Sequence, residues 1–287
     1  MTQLPIQRSF VDAYGIDIVF FEWPVANAKA VVQIAHGLGE HGGRYAHVAE
    51  ALNRAGYSVY LDDHRGHGLT GKGMVAAGKT ARQGYLGEGG MKATFAQVHE
   101  LTKLIRAENP SLKIVLLGHS WGSMIAQNLV NRFSPDFDSL VLSGSTLLIP
   151  GILPSGGFNK KWDNEINSTS KEWLSRDREV GVRFMNDPLN FPESAMQVFG
   201  ITNTLALIGV PSKQIRSDLP VLLMAGSEDA IGGEKGNQML LKAYLRAGVR
   251  DVHMVIYHGA RHEIFNETNQ GEVLTDLVAW LDERYGE

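Results

Sequence analysis

The 287-residue sequence contains no cysteine. A disulfide framework, a thiol nucleophile and a cysteine-ligated metal site are therefore excluded. Long apolar runs are also missing, because none approaches the ~18 residues that a membrane span requires. The first ten residues lack the basic and apolar segments of a secretion signal. We therefore expect a cytoplasmic protein, and peripheral contact with a membrane stays open.

A strong excess of charge of either sign is absent as well. The formal net charge is −4, which gives no electrostatic reason to expect a nucleic acid as a partner. Hydrophobic residues make up 44% of the chain and charged residues 20%. Together with the length, this composition is typical of one large α/β domain with a sizeable core.

The most informative segment, residues 113–124, reads Lys-Ile-Val-Leu-Leu-Gly-His-Ser-Trp-Gly-Ser-Met. An apolar run typical of a strand enters the pattern Gly-x-Ser-x-Gly, and apolar residues at helical spacing follow from Met124. This combination predicts a nucleophile elbow, a sharp strand-to-helix turn with Ser120 at its tip. The alternative is a glycine-rich turn with a capping serine.

Strands and helices alternate along the rest of the chain. Predicted strands cover residues 8–23 (as a pair), 29–35, 57–61, 139–142, 220–226 and 252–257, and predicted helices cover 45–55, 94–106, 235–247 and 272–284. Residues 69–90 are predicted to be loop. This alternation favours an α/β-hydrolase fold, with a mostly parallel central sheet covered by helices on both faces. The alternation breaks between residues 146 and 217, which we interpret as a cap inserted into a core formed by residues 1–145 and 218–287.

A reactive serine also needs a base and an acid that orients the base, and in this fold both follow the serine in the order acid, histidine. Asp229 and His262 come after two predicted strands, so we assign Asp229 as the orienting acid and His262 as the general base. Glu228 is the alternative acid. His258 is the alternative base, although its place at a strand end favours a structural role.

Negative charge that develops on a carbonyl oxygen must be met by backbone N–H groups. One is expected from Trp121, which follows the nucleophile, and the other from Leu38 in the glycine-rich loop after the strand at residues 29–35. The loop is not a phosphate-binding loop, because no Gly-Lys-Ser/Thr follows it.

The cluster of Asp62, Asp63, His64 and His67 resembles a metal site. The alternative, which we prefer, is that these side chains support the loops of the site. The serine chemistry itself requires neither a metal nor another cofactor.

Several motifs resemble those of the monoglyceride lipases and related lysophospholipase-like α/β-hydrolases, along most of the chain. They lie, in order, at residues 36–45, 63–68, 118–122, 226–229 and 259–262, and in the cap at 174–177 and 187–189. The resemblance implies a carboxylic-ester hydrolase that acts on a single-chain lipid ester, with monoacylglycerol as the foremost substrate. It also implies a cap that shapes an acyl tunnel, and a polar end lined by Glu40, Arg44 and His119 that receives a glycerol-type head group. A structural ion pair between Glu40 and Arg44 is the alternative for those two residues.

The sequence also departs from the family pattern. Trp121 stands where the family usually has methionine, and residues 230–233 lack the proline or cysteine often found there. The substrate therefore stays open among a lysophospholipid, a short-chain ester, a thioester, a carbon–carbon bond and an aminopeptidase substrate. An inactive α/β-hydrolase that serves as a binding module is the non-enzymatic alternative, but such proteins typically lack a member of the triad.

Overall fold

The computed structural model describes residues 4–149, 157–164 and 168–286. Within these residues, eight strands form one sheet: β1 (Ile6–Val11), β2 (Asp17–Trp23), β3 (Val31–Ala35), β4 (Ser58–Asp62), β5 (Ile114–His119), β6 (Ser139–Ser143), β7 (Val221–Gly226) and β8 (Val252–Tyr257). The order across the sheet is β1-β2-β4-β3-β5-β6-β7-β8. β2 pairs antiparallel with both β1 and β4, and every pair from β4 to β8 is parallel.

The described helices are α1 (Ala46–Arg54), α2 (Gly68–Ala76), α3 (Gly90–Glu108), α4 (Trp121–Phe133), α5 (Arg178–Asn186), α6 (Ala195–Leu205), α7 (Gly233–Ala247) and α8 (Gln270–Tyr285). Short 3₁₀ turns lie at Gly42–Tyr45, Ser134–Asp136 and Ile264–Asn266. Helices α3, α4 and α7 contribute to the apolar cluster on one face of the sheet, and α1 and α8 contribute to the cluster on the other. Both faces are thus covered, and the predicted α/β-hydrolase architecture is confirmed.

Burial on both faces explains why the central strands read as continuous apolar runs. In β5, Leu116 belongs to one apolar cluster and Leu117 to the other, and both are fully buried. Because β3, β5, β7 and β8 run parallel, the loops that follow them emerge at one edge of the sheet. That edge collects the predicted elbow, the glycine-rich loop and the loops that carry Asp229 and His262.

The prediction that residues 69–90 form a loop is wrong for the first part of that segment, which is α2. Three glycines in nine residues make its helix propensity low, and tertiary contacts override it. Met74 is buried against Ile16 and Ile18, and Thr70 Oγ1 accepts a hydrogen bond from the Val19 amide over 2.9 Å. These partners are more than 50 residues away in the chain, so no local pattern reports them.

The chain between β6 and β7 carries α5 and α6 and, in its described residues, no strand. The division into a core and a cap of residues 146–217 stays a prediction. Within the predicted cap, residues 150–156 and 165–167 lie outside the described residues. Among the helices that the structure describes, none is long and apolar enough to cross a membrane.

Candidate active site

Ser120 occupies the sharp turn between β5 and α4. Its backbone has φ +52° and ψ −119°, a conformation that residues other than glycine rarely adopt. The Ser120 amide donates to the Ser143 carbonyl over 2.9 Å, and its own carbonyl accepts from Ser123 Oγ over 2.5 Å. A Cβ at Gly122 would come within 2.1 Å of the Ala35 carbonyl oxygen, so the turn requires glycine there. The strand, strained turn and helix that the motif predicts are therefore present.

Asp229 and His262 form a buried pair at the same edge of the sheet. Asp229 follows β7, His262 follows β8, and His262 Nδ1 lies 2.9 Å from Asp229 Oδ1. The Ile231 amide donates to the same carboxylate oxygen over 2.8 Å and fixes its orientation. His262 Nε2 is buried and has no hydrogen-bond partner among the residues that the structure describes. The ring thus offers one free nitrogen, with the opposite nitrogen held by a carboxylate.

Two buried imidazoles, His119 and His262, lie with ring centres 4.9 Å apart. Burial, together with the nearby charge of His262, lowers the pKa of His119 to about 3. Burial alone would also lower the pKa of His262. The Asp229 carboxylate outweighs this effect and raises the pKa of His262 above its ordinary value. Burial would raise the pKa of Asp229, but the charge and hydrogen bond of His262 outweigh it, so that pKa is lowered. His262 is therefore the more basic of the two rings.

The alternative acid and base are directed elsewhere. The Glu228 carboxylate pairs with the Lys161 ammonium, and its side chain is 42% exposed. His258 is exposed at the end of β8. The structure brings Asp229, and neither of these residues, into contact with His262.

The glycine-rich loop after β3 lies directly against Ser120. A Cβ at Gly37 would come within 2.6 Å of Glu40 Oε1 and within 3.2 Å of the Ser120 Cβ, so glycine allows the close approach of this loop. The Leu38 amide donates to no group in the described part of the chain. Trp121 is the first residue of α4, where backbone amides have no acceptor within the helix. The amides of Leu38 and Trp121, which are expected to donate to the carbonyl oxygen of a substrate, therefore belong to segments that flank Ser120.

Glu40 and Arg44 are held in a buried network. The Arg44 guanidinium pairs with Glu40 and binds both oxygens of Glu263, over 2.8 and 2.7 Å. Glu40 Oε1 also accepts from the Tyr45 hydroxyl over 2.7 Å and from the Gly37 amide over 2.6 Å. Of the two roles that the sequence left open for Glu40 and Arg44, the structure shows the ion pair. The head-group role stays a prediction, and the 2% exposure of Glu40 leaves it little surface for a ligand.

Glu263, the second carboxylate of that network, was not predicted from the sequence. Burial alone would raise the pKa of Glu263, but the Arg44 guanidinium lowers it to about 2. The sequence places Glu263 directly after His262. A buried carboxylate at that position needs a cation to neutralise it, so this position could have indicated a partner such as Arg44.

The side chains of the cluster that resembles a metal site make hydrogen bonds with protein groups, in part with one another. Asp62 Oδ2 lies 2.6 Å from His64 Nδ1, whereas Asp63 accepts from the Gly42 amide over 2.7 Å. His67 Nδ1 lies 3.0 Å from a backbone carbonyl oxygen. Among the described residues, no three His, Asp or Glu side chains are arranged to share a metal ion. These contacts favour the interpretation that the cluster supports the loops of the site.

Residues 171–174, here called the strap, cross over the base. The carbonyls of Trp173 and Leu174 accept from the amides of His262 and Glu263, over 3.3 and 2.7 Å. The Trp173 ring lies 4.9 Å from the His262 ring. Further along the chain, the Phe191 amide donates to the Gly39 carbonyl over 2.9 Å. The segment between β6 and β7 thus covers both the base and the glycine-rich loop.

The fold and this arrangement define an α/β-hydrolase of the serine type. The profile of the family described as serine aminopeptidase, S33, matches residues 26–269, so the chain belongs to that family. A monoacylglycerol lipase of Mycolicibacterium smegmatis is 29% identical, over 96% of each chain. The predicted resemblance to monoglyceride lipases is confirmed.

Solved structures agree with this assignment. A structure described as a lipase in its open form is 28% identical, with a TM-score of 0.82 over 98% of this chain and 99% of that one. A thermostable carboxyl esterase of Bacillus coagulans, in complex with glycerol, is 24% identical, with a TM-score of 0.84 over 98% and 99% of the two chains. At 24% identity, the likeness to this esterase shows a shared fold.

The stability of the fold should depend on pH through buried neutral histidines. Burial lowers the pKa of His36 well below its ordinary value, and lowers those of His67 and His119 to about 3. Unfolded histidines titrate near ~6.5. Unfolding therefore takes up protons below that pH, and the free energy of unfolding should fall by up to about 1.4 kcal/mol per histidine and pH unit between about 6.5 and 3.

Urea unfolding between pH 7.5 and 5 measures this slope. His119→Gln should make this slope shallower by the contribution of one histidine. His262, whose pKa is raised, acts in the opposite sense, because its contribution is lost as pH rises. The same slope in His119→Gln and the unaltered protein would mean that folded His119 is charged.

Proposed function

We propose that this chain hydrolyses carboxylic esters of single-chain lipids, with monoacylglycerol as the preferred substrate, through an acyl-enzyme on Ser120. The observation that carries the proposal is the free Nε2 of His262, on a ring whose Nδ1 contacts Asp229 at 2.9 Å. The same ring lies 4.9 Å from the ring of His119, the residue that precedes Ser120 at the strained turn. Such an arrangement suits a hydroxyl nucleophile with its own base. No metal or other cofactor takes part in the proposed reaction.

In this mechanism, Ser120 Oγ attacks the ester carbonyl carbon while His262 Nε2 takes the hydroxyl proton. Asp229 stabilises the imidazolium that forms. The carbonyl electron pair moves to oxygen, and the amides of Leu38 and Trp121 donate to the resulting anion. As the tetrahedral intermediate collapses, His262 passes its proton to the departing alkoxide and leaves an acyl ester on Ser120. Water, activated by the same base, then releases the fatty acid.

An amphiphilic substrate suits the surroundings of Ser120. On one side, Trp121 packs against Phe199 of α6, with ring centres 4.9 Å apart, and this pair supplies apolar surface. The network around Arg44 lies on the His262 side and is strongly polar. The Mycolicibacterium relative, whose name is monoacylglycerol lipase, supports the same class of substrate. We accordingly propose that residues 146–217 form a cap over an acyl tunnel.

The family's description as serine aminopeptidases raises the alternative of a peptide substrate. An aminopeptidase needs a free carboxylate to receive the ammonium group of its substrate. Glu40 and Glu263, the buried carboxylates beside the base, both pair with Arg44. A neutral ester therefore fits this site better than a cationic peptide end.

The proposed acid can be separated from its neighbour by substitution. Asp229→Asn should lower kcat by about 10⁴-fold, because the imidazolium loses its carboxylate and the ring loses its fixed tautomer. Glu228→Gln should lower kcat less than threefold, since Glu228 pairs with Lys161. Hydrolysis of a p-nitrophenyl ester gives both values, and Ser120→Ala serves as the inactive control. If Glu228→Gln were the more damaging change, the acid would have been misassigned.

The proposed tunnel predicts a dependence on chain length. Each CH₂ buried adds about 0.8 kcal/mol of transfer free energy, so kcat/KM should rise several-fold per added carbon and then level off once the tunnel is full. Monoacylglycerols should be cleaved faster than triacylglycerols, whose further chains meet the polar side. Initial rates on graded monoacylglycerols, with the matching triacylglycerols, test this. A preference for acetyl esters or for long triacylglycerols would contradict the substrate class.

Peripheral contact with a membrane is a further part of the proposal. Helix α6 turns Val198 and Phe199 inward, whereas Met196, Ile201 and Leu205 are 50% or more exposed. An outward apolar face on the cap would bring the site close to lipid-dissolved substrate. The cytoplasmic location expected from the sequence stays a prediction.

This face predicts binding to neutral vesicles. The double variant Ile201→Ser/Leu205→Ser should bind phosphatidylcholine vesicles about 30-fold more weakly in a sedimentation assay, since each side chain loses about 1 kcal/mol of apolar burial. Leu245→Ser removes a comparably exposed leucine from α7, 49% exposed, and should bind like the unaltered protein. Equal binding by all three proteins would exclude the α6 face as the contact.

A further inference from the structure

Lys171, the first residue of the strap, is a buried cation without a hydrogen-bond acceptor. Only 8% of the residue is exposed. Its Nζ donates no hydrogen bond within the described part of the chain, and it lies 4.7 Å from the centre of the Phe184 ring. An ammonium group that has lost most of its water without gaining an acceptor is destabilised. A ligand oxygen would remove that penalty.

The surroundings of Lys171 belong to the polar side of the candidate site. The Arg44 guanidinium lies 5.2 Å from the centre of the same Phe184 ring. Arg44 is neutralised by Glu40 and Glu263, but Lys171 has no such ion pair. The backbone of the strap is held beside the base, since Trp173 and Leu174 accept backbone hydrogen bonds from His262 and Glu263.

We propose that Lys171 is a specificity-determining residue, which donates a hydrogen bond from Nζ to a hydroxyl oxygen of the alcohol part of the ester. The inference rests on the proposed ester hydrolysis and adds to it a residue that distinguishes polyhydroxy alcohols from simple ones. Neither the resemblance of the motifs nor the network around Glu40 assigns this role.

The charges around Lys171 favour a neutral ligand over an anionic one. Glu263 and Glu193 attract the Lys171 ammonium, and Arg44 repels it. Together with Glu40, the other partner of Arg44, these groups carry three negative and two positive charges. A phosphate would gain a contact with Lys171 but would be repelled by three carboxylates, whereas a neutral hydroxyl gains the hydrogen-bond donor without that repulsion. The ligand chemistry is therefore that of a glycerol-type alcohol.

The experiment compares two esters of one fatty acid, glyceryl decanoate and methyl decanoate. The methyl ester has no hydroxyl in its alcohol part, so its hydrolysis reports on the fold and on the reaction but not on the proposed contact. Lys171→Met should lower kcat/KM for the glyceryl ester by about 10- to 100-fold, the range for loss of a hydrogen bond to a charged group. It should change kcat/KM for the methyl ester by less than threefold. Lys171→Arg, which keeps the charge and the donors, should recover part of the preference.

A comparison variant makes the result specific. Lys160→Met removes an exposed lysine from the same segment between β6 and β7, and it should leave hydrolysis of both esters unaffected. A similar loss on both esters in Lys171→Met, or no loss on either, would overturn the inference. Failure of the unaltered protein to cleave either ester would instead reject the proposed function.

Discussion

The buried ion triad of Arg44 with Glu40 and Glu263 is the interaction on which the geometry of the site depends. Glu40 belongs to the loop after β3 and Glu263 to the loop after β8, and three strands of the sheet separate β3 from β8. Hydrogen bonding within the sheet fixes each strand, but it does not fix the distance between loops so far apart. The bidentate contact of Arg44 with Glu263 does so, at 2.7 and 2.8 Å. Removal of one partner from such a group leaves a buried charge uncompensated, at a cost of about 3–5 kcal/mol.

A second constraint is electrostatic and acts over one hydrogen bond. His119 and His262 are both almost fully buried and lie side by side, yet their pKa values move in opposite directions. The difference is the carboxylate of Asp229, which contacts one ring and not the other. One short contact thus divides two similar side chains into a neutral neighbour and a proton acceptor.

The sequence predicts those parts of the molecule that leave a local trace. The elbow at Ser120 follows from a strand, two glycines and a helix within twelve residues, and the order of Asp229 and His262 follows from the fold class. Other parts have no local trace. Helix α2 forms because Met74 packs on Ile16 and Ile18, and Glu263 matters because Arg44, 219 residues away in the chain, reaches it. Such contacts depend on where the chain returns in space, which periodicity and composition do not record.

The strap has a consequence for how this protein can change. Trp173 and Leu174 hold the loop of His262 through their carbonyl oxygens, and every amino acid possesses that group. Side chains of the strap can therefore be exchanged while its attachment persists. In the strap, backbone carbonyl groups hold the loop of His262, whereas side chains line the site. A new substrate preference can therefore arise through changed side chains, by natural drift or by design, while the strap continues to cover the base.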